Sequence, residues 1–156
     1  MNTNIRLILT SLLSLISGVL LLIYLDEGTL FLATLLVAIV AIKTINTKID
    51  ADENFDTSKL SVNIFVGLWF ALSIAPAFGV KIDEILVLRN GFLIQTLLSF
   101  TLFIAFYKSD ISVIGKIKQR VKGGVGMIVS SLIAGAAAGI SSSALWQIYL
   151  NIAEAI

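Results

Sequence analysis

The chain has 156 residues, of which 58% are hydrophobic and 13% charged, and its mean hydropathy is +1.01. A soluble domain of this size rarely buries so much apolar surface, whereas lipid solvates it, so the composition predicts a single membrane domain over residues 1–156. The absence of cysteine and histidine excludes disulfides, Cys/His metal sites and histidine catalysis, and the net charge of +1 gives no basis for nucleic-acid binding.

Five segments are apolar over about the 20 residues that a helix needs to cross the hydrocarbon core. In chain order they are about 7–24, 29–45, 60–80, 85–107 and 125–150. The first lacks a convincing cleavage site, so we interpret it as a retained membrane helix and not as a signal peptide. Pro76 predicts a kink or an end of regular helix in the third segment. Arg89 and Asn90 move the expected start of the fourth span to Gly91.

The positive residues between these segments predict an orientation. If the N-terminus is cytoplasmic, nine of the eleven lie in cytoplasmic segments. These nine are Arg6, Lys43, Lys48, Lys59, Lys108, Lys116, Lys118, Arg120 and Lys122, and the two external ones are Lys81 and Arg89. The positive-inside rule therefore predicts an all-α integral membrane protein, a compact bundle of about five transmembrane helices with its N-terminus inside and its C-terminus outside.

Two polar stretches are predicted to be cytoplasmic loops. The first, 46–59, holds Asp50, Asp52 and Asp56, which could bind a divalent cation. It lacks the glycine and the terminal glutamate of a calcium loop, so a solvated loop is the favoured interpretation. The second, 108–124, carries alternating basic residues and leads into the last apolar segment.

The entrance to the last segment reads RVKGGVGMIVSSLIAG over residues 120–135. Basic residues precede three glycines at a predicted helix N-terminus, where backbone N–H groups and the helix dipole favour an anion. Anionic lipid headgroups are the nearest anions, while a basic loop that sets topology and a tight glycine turn form the alternative. The candidate headgroup-binding residues are Lys116, Lys118, Arg120, Lys122, Gly123, Gly124 and Gly126.

Within the last segment, small residues recur every four positions. They are Ser131, Gly135, Gly139 and Ser143. Small residues on one helical face let two backbones approach closely in lipid. The face predicts either packing within the chain or a homodimer, and the spacing does not choose between them.

From about residue 35 to 150 the chain resembles the phosphatidylglycerophosphatase A family of small bacterial membrane enzymes. The resemblance rests on two blocks: Asn63–Pro76 with Val-Gly-x-Trp before the proline, and Arg120–Gly135 with Gly-Gly-x-Gly before Ala-Gly. It implies a multi-pass protein of the bacterial inner membrane. It also implies the family activity in phospholipid metabolism, which is Mg²⁺-dependent dephosphorylation of phosphatidylglycerophosphate to phosphatidylglycerol.

The acidic residues of that family are replaced here. Its Asp-Glu pair, the Asp of its Phe-Asp pair, and its Asp-Asp pair fall on Asn63 and Ile64, on Tyr107, and on Ser130 and Ser131. The N-terminal signature of the family, rich in proline and glycine, has no good counterpart. Mg²⁺ favours carboxylate ligands, and phosphoryl transfer depends on the charge that this metal supplies. We therefore expect no metal cofactor and no intact catalytic site.

Two functional hypotheses follow from these observations. The first is a membrane lipid phosphatase that acts on phosphatidylglycerophosphate. The second is a non-catalytic protein of the same fold, natural or engineered, that serves as a lipid-headgroup binder, a partner subunit or an inert scaffold. The replaced acids favour the second. A transporter is disfavoured because no charged residue within a span marks an ion path.

Overall fold

The computed structural model describes residues 3–52, 55–56, 60–75, 91–109 and 113–155. They form six helices: α1 Thr3–Tyr24, α2 Glu27–Ala51, α3 Val62–Ile74, α4 Gly91–Lys108, α5 Val113–Arg120 and α6 Gly123–Ala155. These residues contain no strand, so the predicted all-α class is confirmed. Among the described residues, three stretches are long and apolar enough to cross a membrane: Ile5–Tyr24, Glu27–Ala51 and Gly123–Ala153.

Polar and apolar side chains are arranged as in a protein solvated by lipid. On α1, Leu13 is 60% exposed, while Ser11 and Ser14 on another face are fully buried. On α2, Leu36 is 65% exposed and Thr34 is fully buried, with its hydroxyl bonded to a carbonyl of its own helix. A helix on the surface of a soluble protein buries its apolar face instead. The reversed pattern is that of a membrane protein.

Helices α1, α3 and α6 run in the same direction. Trp69 on α3 donates from Nε1 to the carbonyl of Ser14 (3.2 Å), and Leu72, further along α3, lies against Gly18. Helices α2 and α4 run the opposite way. The ring centroids of Phe31 and Phe70 are 5.2 Å apart near the start of α2 and the end of α3. The five apolar helices α1, α2, α3, α4 and α6 therefore alternate in direction along the chain, with the short α5 between α4 and α6.

The closest helix contact is between α3 and α6. A Cβ atom built on Gly135 would lie 2.1 Å from the carbonyl oxygen of Gly67, and one on Gly139 would lie 2.8 Å from that of Ala71. Such distances exclude any side chain, so the two backbones touch directly. All four residues of the small-residue face are buried: Ser131, Gly135, Gly139 and Ser143. The face packs within the chain, and a homodimer through it would compete with α3.

The two predicted loops contain more helix than expected. Helix α2 continues to Ala51, well into the predicted 46–59 loop, because Ile45 and Ile49 pack in an apolar cluster. The predicted 108–124 loop contains α5, whose buried Ile114 joins the main core cluster. On α5, Lys116 and Arg120 lie four residues apart, on one side of the helix, and both are exposed.

Several predictions fall outside the described residues. They concern the kink at Pro76, the external cations Lys81 and Arg89, and the part of the fourth segment before Gly91. The described part of helix α4 begins at Gly91, and the expected start of the span at that residue stays a prediction. Within the described residues, α3 ends at Ile74.

The connection from α1 to α2 is short and capped. Asp26 accepts a hydrogen bond from the Thr29 hydroxyl and another from the Thr29 backbone N–H, the latter over 3.1 Å. These two bonds hold the pKa of the Asp26 carboxyl below its usual value. The ionised carboxylate then stabilises the positive N-terminal end of α2.

The α3–α6 contact makes a testable prediction for Gly135→Ala. Alanine favours a helix over glycine by about 1 kcal/mol, but its methyl group would force the two backbones apart. We expect a net loss of about 1–3 kcal/mol, measured by denaturant unfolding in detergent micelles. Ala144→Val adds bulk at an exposed site on the same helix and should leave stability nearly unchanged. A Gly135→Ala variant as stable as the unmodified chain would contradict the direct contact.

Candidate functional site

A hydrogen bond joins two of the five candidate positions that the sequence resemblance singles out. Asn63 lies near the start of α3 and Tyr107 near the end of α4, 44 residues later in the chain. Asn63 Nδ2 donates to the Tyr107 hydroxyl over 2.6 Å. Asn63 is only 2% exposed, and the Tyr107 ring stacks on the buried ring of Phe103. The pair is a neutral cross-link between two helices inside the bundle.

Two more of these positions lie at the same level of the bundle. The hydroxyls of Ser130 and Ser131 both donate to the carbonyl of Met127, over 3.0 and 3.1 Å, and both serines are fully buried. A Cβ on Gly67 would lie 2.7 Å from the carbonyl oxygen of Ser131. Since α3 and α6 are parallel, Asn63, one turn before Gly67, is level with the turn from Met127 to Ser131.

The fifth position belongs to the apolar core. Ile64 is 6% exposed and packs in the main cluster with Leu68, Phe103 and Ile114. The fold thus gathers Asn63 and Tyr107 with the serine pair into one buried region, and it places Ile64 in the packing beside it. The sequence blocks alone did not show that these positions come together.

The residues at this site do not fit a magnesium ion. Mg²⁺ needs a near-octahedral set of hard oxygen ligands, usually including carboxylates. Of the oxygens on these five side chains, Asn63 Oδ1 is buried without a hydrogen-bond partner, and it is neutral. The serine hydroxyls are directed to the Met127 carbonyl, and none of the five side chains is acidic. No phosphoryl-transfer step can be derived from this arrangement.

The described part of the chain contains no alternative group of residues that could hold a metal ion. No group of three or more Asp, Glu, His or Cys side chains there is placed to hold a metal ion. This includes Asp50, Asp52 and Asp56 of the 46–59 stretch, whose suggested cation site is not formed. Asp50 lies on the exposed end of α2, while Asp52 and Asp56 follow after the helix has ended.

The glycines at the start of α6 are explained by contacts within the chain. Gly123 has a φ of +78°, a conformation that disfavours other residues. The N–H of Gly124 donates to Asn46 Oδ1 on α2 over 2.8 Å, and a Cβ on Gly126 would lie 1.8 Å from the Val121 carbonyl oxygen. Asn46 therefore occupies one of the N–H groups expected to attract an anion, and sequence reasoning missed this interhelical cap.

The candidate headgroup-binding cations lie at this end of the bundle. Lys116, Arg120 and Lys122 are exposed, while the side chain of Lys118 lies outside the described part of the structure. They lie near the start of α6, which is also the end of the bundle where α2 and α4 finish. The structure therefore presents a cationic surface, with the helix N-terminus itself partly capped by Asn46.

A second buried polar cluster lies at the opposite end of the bundle. Gln95 Nε2 donates to the Ala75 carbonyl over 2.7 Å and to the Ser143 hydroxyl over 2.9 Å. Ser143 also donates to the Ala75 carbonyl, and the hydroxyls of Ser99 and Ser142 are 2.6 Å apart. These bonds tie α3, α4 and α6 together. In the sequence, this cluster is indicated only by polar residues at helical spacing within apolar segments.

Comparison with known proteins assigns no family to this chain. Neither the protein-family models, nor the curated proteins, nor the solved structures gave a match. The resemblance to phosphatidylglycerophosphatase A thus rests on the residue blocks Asn63–Pro76 and Arg120–Gly135.

The Asn63–Tyr107 bond makes a testable prediction. Tyr107→Phe removes the acceptor and leaves the buried Asn63 amide without its partner, so we expect a loss of about 1–3 kcal/mol in detergent unfolding. The double variant Asn63→Leu/Tyr107→Phe removes both polar groups and should recover most of that loss. Tyr149→Phe is a matched control because Tyr149 is 58% exposed. Equal effects of Tyr107→Phe and Tyr149→Phe would contradict a buried hydrogen bond.

Proposed function

We propose that the chain is a non-catalytic membrane protein with the helical frame of the phosphatidylglycerophosphatase A family, and that its cationic end binds anionic lipid headgroups. The observation that carries the proposal is the hydrogen bond between Asn63 and Tyr107. It joins two positions at which the family has acidic residues, and Ser130 and Ser131 lie at the same level. An enzyme site is thereby replaced by a neutral, packed contact.

The energetics support this proposal. Acidic residues buried within a membrane are costly and persist where function or a counter-charge maintains them. Replacing them with neutral groups that bond to each other or to the main chain removes that cost. It also removes the charge that would hold Mg²⁺ and stabilise a phosphoryl-transfer transition state. Such a bundle keeps its packing and loses the chemistry.

We extend the proposal to a five-span topology with a cytoplasmic N-terminus, in the bacterial inner membrane. The alternating directions of α1, α2, α3, α4 and α6 support it. So does the position of the basic residues, since Lys43 and Lys48 on α2 lie towards the same end of the bundle as Lys116 and Arg120. Anionic lipids of the cytoplasmic leaflet attract such residues.

A phosphatase assay tests the loss of catalysis. We expect the purified chain in detergent to release no phosphate from phosphatidylglycerophosphate in the presence of Mg²⁺, because its site has no carboxylate. An active phosphatidylglycerophosphatase A assayed in parallel is the positive control. Mg²⁺-dependent turnover by the unmodified chain, abolished in an Asn63→Leu variant, would overturn the proposal.

A second experiment tests whether the five positions correspond to the acidic positions of the family. The variant with Asn63→Asp, Ile64→Glu, Tyr107→Asp, Ser130→Asp and Ser131→Asp gathers carboxylates at the proposed family site. We expect it to bind Mn²⁺, a spectroscopic substitute for Mg²⁺, in electron paramagnetic resonance titrations, while the unmodified chain does not. A folded variant that binds no more Mn²⁺ than the unmodified chain would contradict the correspondence.

A reporter fusion tests the topology. A periplasm-active reporter joined after Ile156 should be active, because five spans and a cytoplasmic N-terminus place the C-terminus outside. The same reporter joined after Lys122 should be inactive, since that position precedes α6 on the cytoplasmic side. Activity of the Lys122 fusion together with inactivity of the Ile156 fusion would reverse the orientation.

A further inference from the structure

An apolar groove lies on the lipid-facing side of the bundle, between α2 and the start of α3. Its volume is about 450 Å³. Leu36, Val40 and Ala41 line it along α2, and Val62 lines it on α3. Leu36 and Val40 are 65% and 64% exposed, so the groove opens to the surroundings of the protein and is not an internal cavity.

The groove follows α2 towards the basic end of the bundle. From Leu36 to Lys48 the helix rises about 18 Å, at 1.5 Å per residue. Lys48 lies 21 residues after Glu27, which corresponds to about 32 Å, close to the ~30 Å thickness of a hydrocarbon core. If Glu27 lies at one membrane interface, Lys48 lies at the other. The groove therefore runs through one leaflet and ends at headgroup level.

The residues that line the groove are suited to an amphiphilic ligand, which has an apolar part and a charged part. Lys48 is the only charged residue among the described residues that line the groove, and the others are apolar apart from Thr44. The Thr44 hydroxyl is bonded to the Val40 carbonyl, so it adds little polarity. The Lys48 ammonium lies 5.7 Å from the centre of the Phe55 ring, within cation–π distance.

We propose that this groove binds one acyl chain of an anionic phospholipid, with the lipid phosphate on Lys48. An extended apolar slot takes the chain, and the ammonium at its end takes the negative headgroup. The site is separate from the cationic surface near α6 and from the Asn63–Tyr107 pair. The proposal rests on the membrane location of the bundle and not on its resemblance to a phosphatase.

The volume favours a lipid chain over a helix of a second copy. A volume near 450 Å³ lies in the range of small-molecule sites, about 300–1,000 Å³. A helix about 10 Å across, laid along 18 Å of groove, would occupy roughly 1,400 Å³. A helix could cover the groove but could not enter it, whereas a single acyl chain could.

Lipid retention tests the charged end of the site. The full chain, purified in a mild detergent, is mixed with phosphatidylglycerol or phosphatidylcholine of equal chain length, and bound lipid is counted by native mass spectrometry. We expect phosphatidylglycerol to bind more tightly, and Lys48→Gln to weaken it about fivefold. Lys43→Gln is the matched control: it removes the same charge at an exposed position of α2 that does not line the groove, so it measures the general attraction of basic residues to anionic lipid.

A second pair of variants tests the apolar part. Val40→Trp places a large ring in the groove and should displace the lipid, while Ile39→Trp places the same ring on the neighbouring lipid-facing position. Both residues are 64% exposed, so neither change disturbs the core. The site is supported if the Val40→Trp variant loses bound phosphatidylglycerol and the Ile39→Trp variant keeps it. The unfolding midpoint of each variant checks that it is folded.

Three results would overturn the proposal. They are equal retention of the two lipids, equal effects of Lys48→Gln and Lys43→Gln, and unchanged retention in Val40→Trp. A dimer that Val40→Trp dissociates would instead assign the groove to a second copy of the chain. Equal effects of the paired variants, with a preference for phosphatidylglycerol retained, would overturn the groove alone, whereas equal retention of the two lipids would also contradict headgroup binding at the cationic end.

Discussion

The direct contact of the α3 and α6 backbones is the constraint on which the rest of the bundle depends. Gly67 and Gly135 carry no side chain at the point of closest approach, and any Cβ there would overlap the facing backbone. In lipid, helices gain little from burying apolar surface, so close van der Waals packing must hold them together. This contact sets the register that aligns Asn63 with the turn from Met127 to Ser131.

Buried polar groups then secure the other helices to this pair. The Asn63–Tyr107 bond joins α3 to α4 at one end, and Gln95 joins α4 to the end of α3 and to α6 at the other. Asn46 joins α2 to the start of α6. Each bond replaces a hydrogen bond that water would supply elsewhere, and each is made by a neutral side chain. Specific contacts between helices are thus obtained without a buried charge.

Parts of the architecture were predictable from hydropathy and charge, and parts were not. Apolar length predicted the segments that became α1 and α6. Helix α5 and the extension of α2 to Ala51 were missed because their apolar residues are few and pack on other helices. For the candidate site, the residue types were evident in the sequence, whereas the pairing of Asn63 with Tyr107 was not.

The sequence by itself determined that this is a helical protein suited to lipid, because composition and apolar length depend only on which residues follow one another. It also determined that none of the five candidate positions, Asn63, Ile64, Tyr107, Ser130 and Ser131, carries an acid. Only the tertiary structure decided what those positions do instead and which helix covers the small-residue face. Those outcomes depend on the register between α3, α4 and α6. Contacts between residues that are distant in the chain establish that register.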